Sequence, residues 1–446
     1  MFQLLRCLLL AWFLLIYSNI ANALNLIQAY EAALSNDPEF RIALKENEAG
    51  QASRVVGRAA VLPQVSASIY QASTDSKIAG PAYLNGPNVI TNRAYPANNT
   101  VVQLTQPLIN LEALARYRLG HAQADLSDAR FMYRSQDLLV RVLQAYTDVL
   151  YAQDQLTFTV AERDAKKEQL TVNKRMLEKG EGTITDKLET QASYEMSEAQ
   201  VIEAQDNVEL AKRKLEVLIG NPISSLSAVR KLSNQFRVIP LVPSAFELWK
   251  ETALASNPEI RAQSHNIEVN RQDYQRNRAG HYPVLSGIAS WNQAKSYTVS
   301  TIYQDTNTSS VGVQLTIPIF SGGEVTGRTS QARANFEKSQ AEFDAVTNKV
   351  ITELRKQYDL VISSQKKVMA LIRAVESASE LVKAMRKSIQ AGQRINLDAL
   401  IADRGLANAQ RDLSQARYAY LLATLRLKQQ AGTLTVEDLE QVATNF

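Results

Sequence analysis

Cysteine, histidine, long apolar runs and a charge imbalance are all scarce in this chain, and each scarcity excludes something. Its one cysteine, Cys7, lies in the apolar run CLLLAWFLLI behind Arg6, and Ala21-Asn22-Ala23 follows as a small-x-small site. That order is the mark of a secretory signal peptide, expected over residues 1–23, and the run is short of the ~20 residues a spanning helix needs. The remainder has no cysteine, so disulfides and thiolate metal sites are out. The three histidines, His121, His265 and His281, are far apart and lack a carboxylate at metal-ligand spacing. Gly322-Gly323 has no phosphate-loop context. Neither an enzyme nor a cofactor is implied. With 49 Lys and Arg against 45 Asp and Glu, the net charge is +4. The two signs are mixed, which excludes a dedicated nucleic-acid binder. Beyond the leader no run reaches 18 apolar residues, so no transmembrane helix is expected. Barrel strands, whose hydropathy signal is weak, remain open.

What the chain does have is itself, twice. LSNDPEFR (Leu34 to Arg41) answers to ASNPEIR (Ala255 to Arg261), and Pro63 answers to Pro283, both 220 residues on. QLTQPLIN, containing Pro107, answers to QLTIPIFS, containing Pro318, 211 residues on. Tyr146 and Tyr358, Gly180 and Gly392, and Gly220 and Gly432 are each 212 apart. The offset changes between the two prolines of each half, so the first half carries about nine extra residues there. Two structural repeats are expected, 24–231 and 232–446.

Each half reads as a short helix, a β-hairpin and a long helical hairpin. The hairpins are placed at about 61–107 and 283–318, from alternating stretches such as QVSASIYQ. Loops rich in Gly, Pro, Asn and Ser are expected within them, at 74–100 and 295–310. Pro107 and Pro318 are read as strand-to-helix junctions that stop the ladder. Between 108 and 219, and again after 318, there is no proline. Apolar residues there step 3, 4, 3, 4: Leu139, Val142, Tyr146, Val149 in one half and Leu354, Tyr358, Val361 in the other. This is a coiled-coil seam. Glycine gives the only breaks, with tip turns near 180–186 (Gly180) and 392–398 (Gly392). The short helix ending before Pro283 is expected to stack on the return helix that ends at Gly220.

Four amphipathic strands cannot close a barrel, which takes about eight or more, and only a closed barrel satisfies every backbone group in a bilayer. The strands therefore demand other subunits, two, three or four copies by periodicity alone. A non-transporting periplasmic adaptor or scaffold would have no use for them.

The paired Asn-Pro-Glu segments, the duplicated hairpins, QLTQP with QLTIPIFSGG, and the glycine-turn-aspartate tips together resemble the TolC family of outer-membrane exit ducts. The fold class implied is mainly α with a small β part. In it a homotrimer closes a 12-stranded barrel in outer-membrane lipid, and coiled-coil helices form a periplasmic tunnel. The implied partners are a periplasmic adaptor and an inner-membrane transporter, with nucleic acid excluded. The mature chain has no N-terminal cysteine for lipid, unlike many dedicated drug-efflux ducts. Type I protein secretion from an ABC transporter is therefore favoured, and multidrug efflux is the alternative.

By position after the tip glycines, the resemblance maps gate residues onto Thr185, Asp186 and Arg394 and a pore-lining aspartate onto Asp398. Thr183-Ile-Thr-Asp186 is equally a helix-capping sequence. Two departures stand out. Ile389 replaces the family's tip tyrosine, and Ile401 takes the second acidic-ring position, with Asp403 nearby on another face.

Overall fold

The computed structural model describes residues 24–81, 86–222, 229–233, 236–296, 304–391, 393–394 and 396–446. The leader and Gly392 lie outside them. Helices α1 (Leu26–Asn36) and α2 (Pro38–Ala59) precede strands β1 (Gln64–Pro81) and β2 (Asn88–Ile109), then helices α3 (Leu111–Glu178) and α4 (Ile184–Ile219). The order repeats as α5 (Phe246–Ser256), α6 (Pro258–Ala279), β3 (Val284–Ser296), β4 (Gln304–Thr316), α7 (Glu324–Gln390) and α8 (Asn396–Ala431), followed by α9 (Val436–Ala443). Corresponding helices match in length: 11 and 11, 22 and 22, 68 and 67, 36 and 36 residues. Among the described residues no helix is long and apolar enough to cross a membrane.

Contacts divide the chain into two compact units, and each draws on both halves. One takes the chain up to Lys45, Arg130–Ile260 and Val346–Phe446; the other takes Glu46–Ala129 and Arg261–Ala345. The second unit holds a single antiparallel sheet in the order β1-β2-β3-β4. Two sequence expectations fail in it. The expected loop at 74–100 is mostly ladder, since β1 and β2 stay paired from Gln64–Thr105 out to Pro81–Asn88. That at 295–310 is ladder at 295–296 and 304–310, with 297–303 outside the described residues. The outer part of the first hairpin has polar residues on both faces and only scattered apolar ones, so it carries no regular alternation for a pattern to detect. Pro96 sits past Ala97, the last β2 residue of that end to pair with β3. Among the described residues β2 has a partner there on one side only, and a missing N–H is tolerated. Nor does Pro107 stop the ladder. It faces Ser286, the register shifts between Pro107 and Ile109, and pairing resumes at Ile109–Leu285, a bulge that accommodates the missing donor. Pro318, by contrast, lies beyond the last residue of β4.

In this same unit α2 and α3 touch backbone to backbone. A Cβ on Gly120 would lie 2.3 Å from the Ser53 carbonyl oxygen and 3.0 Å from the Gly57 Cα. Arg54 and Gln51 reach from α2 to Asp125 and Asp128 at 2.9 and 2.6 Å.

The first unit holds the apolar core. Leu138, Val142, Leu143, Tyr146, Val149, Leu215, Leu354, Val361, Leu425 and Leu427 are buried together, so the heptad seams are core. The two matched tyrosines anchor loops. Tyr146 donates to the carbonyl oxygens of Leu24 and Arg230, both at 2.9 Å, and Tyr358 donates to that of Ser244 at 2.5 Å. The Phe446 ring meets Tyr146 edge-on at 5.2 Å.

The repeated Asn-Pro motif makes an elbow. Asp37 caps α2 by accepting from the Phe40 N–H, while Asn257 caps α6 by accepting from those of Glu259 and Ile260. Proline follows as the first helical residue, where no N–H is needed. Each elbow abuts the return helix of its own half. Asn36 donates to the Ile219 carbonyl at the end of α4, and Asn257 to the Gln430 carbonyl at the end of α8. This corrects the expected stacking of α6 on α4: the helix that meets α4 precedes it in the chain. Both return helices end in left-handed glycine, Gly220 at φ 73° and Gly432 at φ 75°. A Cβ on Gly432 would sit 2.4 Å from the Ser256 carbonyl oxygen, whereas one on Gly220 would meet the Asn36 side chain at 2.5 Å. A side chain can turn away and a backbone cannot. Gly220→Ala should therefore cost about 1–2 kcal/mol for the left-handed backbone alone. Gly432→Ala should cost about 2–5 kcal/mol, strain and overpacking together. Denaturant unfolding followed by helical circular dichroism checks the order; equal costs or the reverse order would contradict this packing.

Candidate functional site

Strand register sorts the sheet into two unlike faces. On one, Val65, Leu104, Ala289 and Val311 stand in a single row across all four strands. Ala67, Val102 and Trp291 form most of the next row, and Leu285 faces Leu315. Val311, Val313 and Leu315 are 88%, 73% and 59% exposed in the single chain. Further from the helices this face turns polar and charged, with Asp75, Lys77 and a 3.4 Å ion pair between Lys295 and Asp305. The opposite face carries Ser66, Gln103, Ser290 and Ser310 in one row, with the last two hydroxyls 2.7 Å apart. Gln64, Ser68, Thr105, Asn292, Thr308, Gln314 and Thr316 continue it. Among the described residues, strands β1 and β4 each have a partner on one side only. The sheet is thus open-edged, with one exposed apolar face.

At the first helical turn, Gly180 takes φ 76°, the conformation that lets the chain reverse between α3 and α4. Thr183 and Asp186 then form a capping box. The Asp186 N–H donates to Thr183 Oγ1 at 3.1 Å, while Asp186 Oδ2 accepts from the Thr183 N–H at 3.3 Å and its hydroxyl at 2.6 Å. Thr185 is exposed beside it. Asn173 ties the arms together, reaching from α3 to Thr190 Oγ1 at 3.4 Å. At the second turn Arg394 pairs with Asp398 at 3.6 Å. Among the described residues no ion pair joins Asp186 to Arg394 within the chain. Asp403 pairs across α7 and α8 with Arg386 at 3.1 Å, and Ile401 is exposed.

The seam joining α3 to α8 had no signal in the sequence. Glu162, with its carboxylate largely covered, holds Lys166 at 3.4 Å and Arg404 at 3.2 Å. The Arg411 guanidinium lies over the Phe158 ring at 4.7 Å, and Tyr418 donates to Asp154 at 3.1 Å. Burial pushes the Asp154 carboxyl above its usual range, and hydrogen bonds from Tyr418 and Ser414 pull it partly back. These partners lie about 240 or more residues apart, beyond any local spacing rule. Among the described residues no group of three His, Cys, Asp or Glu could hold a metal ion.

A sheet with one apolar face, joined to coiled-coil hairpins and written twice, matches a known family over most of its length. The outer membrane efflux protein family matches residues 29–221 and 249–433. This chain belongs to that family. It is 43% identical over 434 residues to the alkaline protease secretion protein AprF of Pseudomonas aeruginosa, covering 97% of this chain and 90% of the relative. It is 36% identical over 433 residues to the proteases secretion protein PrtF of Dickeya chrysanthemi, covering 96% and 92%. In fold it is similar to the CmeC outer membrane channel of Campylobacter jejuni, with TM-score 0.76 at 16% identity over 95% of this chain and 90% of that one. The resemblance to outer-membrane exit ducts is therefore upheld, and so are the mainly helical fold and the outer-membrane location. Members of the family are channel proteins, and an exit duct implies an adaptor and an inner-membrane transporter.

The capping box makes a local test of this duct's first tip. Thr183→Ala should speed amide exchange over residues 184–187 by about 2- to 30-fold, the equivalent of a lost N-cap. Unchanged exchange in mass-spectrometric hydrogen–deuterium measurements would mean that the cap does not hold the turn.

Proposed function

We propose that three copies close one twelve-stranded barrel, β1 of each pairing with β4 of the next, and that the duct exports polypeptide by type I secretion. The observation that carries this reading is the pair of open edges on a sheet whose one face is apolar. Three copies supply twelve strands, apolar side outward to lipid and hydroxyl and amide side chains inward. An ABC transporter supplies the energy and a periplasmic adaptor joins it to the duct; the duct itself is passive, with no catalytic group, metal or cofactor. The names of the relatives at 43% and 36% identity, both protease secretion proteins, favour protein as cargo over small molecules. Residues 24–231 and 232–446 are the repeats, behind a leader of residues 1–23 that is removed on export.

The tips are the gate in this reading. An Asp186–Arg394 contact between neighbouring helix pairs is worth about 1 kcal/mol or less per exposed pair. It must also compete with the Asp186 capping box and the Arg394–Asp398 pair. Three such contacts hold the duct shut and yield to a docking partner. With Ile401 at the second acidic position and Asp403 engaged by Arg386, Asp398 is the acidic ring that remains, so polyvalent cations should block only weakly.

Planar-bilayer recording separates charge from capping at Asp186. Asp186→Asn keeps an acceptor oxygen for Thr183 but removes the charge; Asp186→Ala removes both. If the gate is electrostatic, both variants open large channels that stay mostly closed in the unmodified protein. Opening by Ala alone would leave Asp186 as a cap. For cargo, expression in a Pseudomonas aeruginosa strain lacking AprF should restore export of alkaline protease. Failure there, with rescue of a drug-efflux mutant instead, would favour small-molecule efflux.

A further inference from the structure

We propose that copies of the chain join in one register, with Leu315 on β4 of one copy directly opposite Ile69 on β1 of the next. The inference rests on the reading of the sheet as one part of a closed barrel of several copies. A template for that junction lies within the chain, because β2 and β3 already join one half to the other. Where β4 meets a neighbour's β1 as β2 meets β3, each in-chain pair translates into a pair between copies.

The duplication fixes the translation. Strand β3 repeats β1 at 220 residues, as Pro283 repeats Pro63, and β4 repeats β2 at 211, as Pro318 repeats Pro107. The two hairpins keep these offsets in space: Gln64 faces Thr105 in the first, and Val284 faces Thr316 in the second. Leu104 faces Ala289 and Val102 faces Trp291 within the chain, so Leu315 takes Ile69 and Val313 takes Gln71 between copies. The bulge pair Pro107–Ser286 becomes Pro318–Ser66, proline against serine again. This register also keeps the faces matched. Val65, Ala67 and Ile69 share the apolar face with Val311, Val313 and Leu315, whereas a slip of one residue would set Leu315 against Ser68 or Tyr70 of the polar face.

Residues 317–320 gain a partner by the same step. They lie past the last residue of β4, with Ile319 95% and Phe320 88% exposed. The matching Leu108 and Ile109 end β2, where Ile109 faces Leu285. Against a neighbour's β1, Pro318 becomes the bulge that Pro107 is, and the strand runs on to Phe320 beside Val65. A slipped register would move one copy along its neighbour by about 3.4 Å per residue, and their apolar rows would no longer share one slab of hydrocarbon. Stagger between strands also sets their tilt in a barrel, so equal junctions let every hairpin stand alike.

Cysteine cross-linking tests the register, since the chain beyond the leader has no cysteine of its own. Residues directly opposite have Cα atoms about 4.5–5.5 Å apart, within disulfide reach, and a slip of two residues takes them to about 7–8 Å, beyond it. Within one chain β1 and β4 stand at opposite edges of the sheet, so a disulfide between them joins two copies. In outer-membrane fractions, Ile69→Cys with Leu315→Cys should give two- and three-chain bands on non-reducing gels. The yield should be at least about fivefold that of Ala67→Cys or Gln71→Cys with Leu315→Cys. Gln71→Cys with Val313→Cys reads the same register if the first pair fails to assemble, and Val65→Cys with Phe320→Cys reads the added strand. Stronger cross-linking at a slipped pair would overturn the register and leave the closed barrel standing. Linkage at 69 and 315 without linkage at 65 and 320 would overturn the extension to Phe320. Protein that reaches the outer membrane yet cross-links at no pair, slipped pairs included, would overturn the pairing of β1 with β4 and the register with it.

Discussion

Unpaired backbone at β1 and β4 is the constraint on which everything else in this protein turns. A strand edge in water can bond to solvent; one in hydrocarbon cannot, and each orphaned group costs several kcal/mol. The apolar row Val65–Leu104–Ala289–Val311 commits the sheet to hydrocarbon, and the row Ser66–Gln103–Ser290–Ser310 commits its other face to water. With four strands, neither demand is met by one chain. In the proposed trimer, association is thus a consequence of hydrogen bonding rather than an elaboration of it.

The helices answer a different problem with the same duplication. Each half meets its own return helix with an elbow of two short helices, capped by Asp37 or Asn257 and seated against a left-handed glycine. The two halves differ where they can afford to. Gly57 and Gly120 let α2 and α3 touch, while Asn277 and Ala332 stand at the matching positions of the second half. Cross-half contacts then join the copies into one core: Glu162 with Arg404, Asp154 with Tyr418, Gln144 with Arg426 at 2.6 Å.

Much of this was legible in the residues. Absence of proline and a heptad step announce long helices, because both are rules about a single helix and its nearest neighbour. Paired motifs announce the duplication. What local pattern could not convey falls into two kinds. Strand with no continuous apolar face, as at 74–81 and 88–100, looks like loop because polar residues stand on both of its sides. Contacts between residues hundreds apart, such as Arg404 on Glu162, follow no spacing rule at all. The tip residues lie between these cases. Thr183 and Asp186 were legible as a cap, and the structure has that cap; whether Asp186 also gates depends on a neighbouring subunit.

The central claim is that this sheet is completed only by other copies of the chain. Native mass spectrometry of the detergent-solubilised, membrane-extracted protein tests it most directly. The account predicts a species of three chains that survives mild activation, with no folded monomer at equilibrium. A stable monomer that keeps its full strand content in circular dichroism would contradict it.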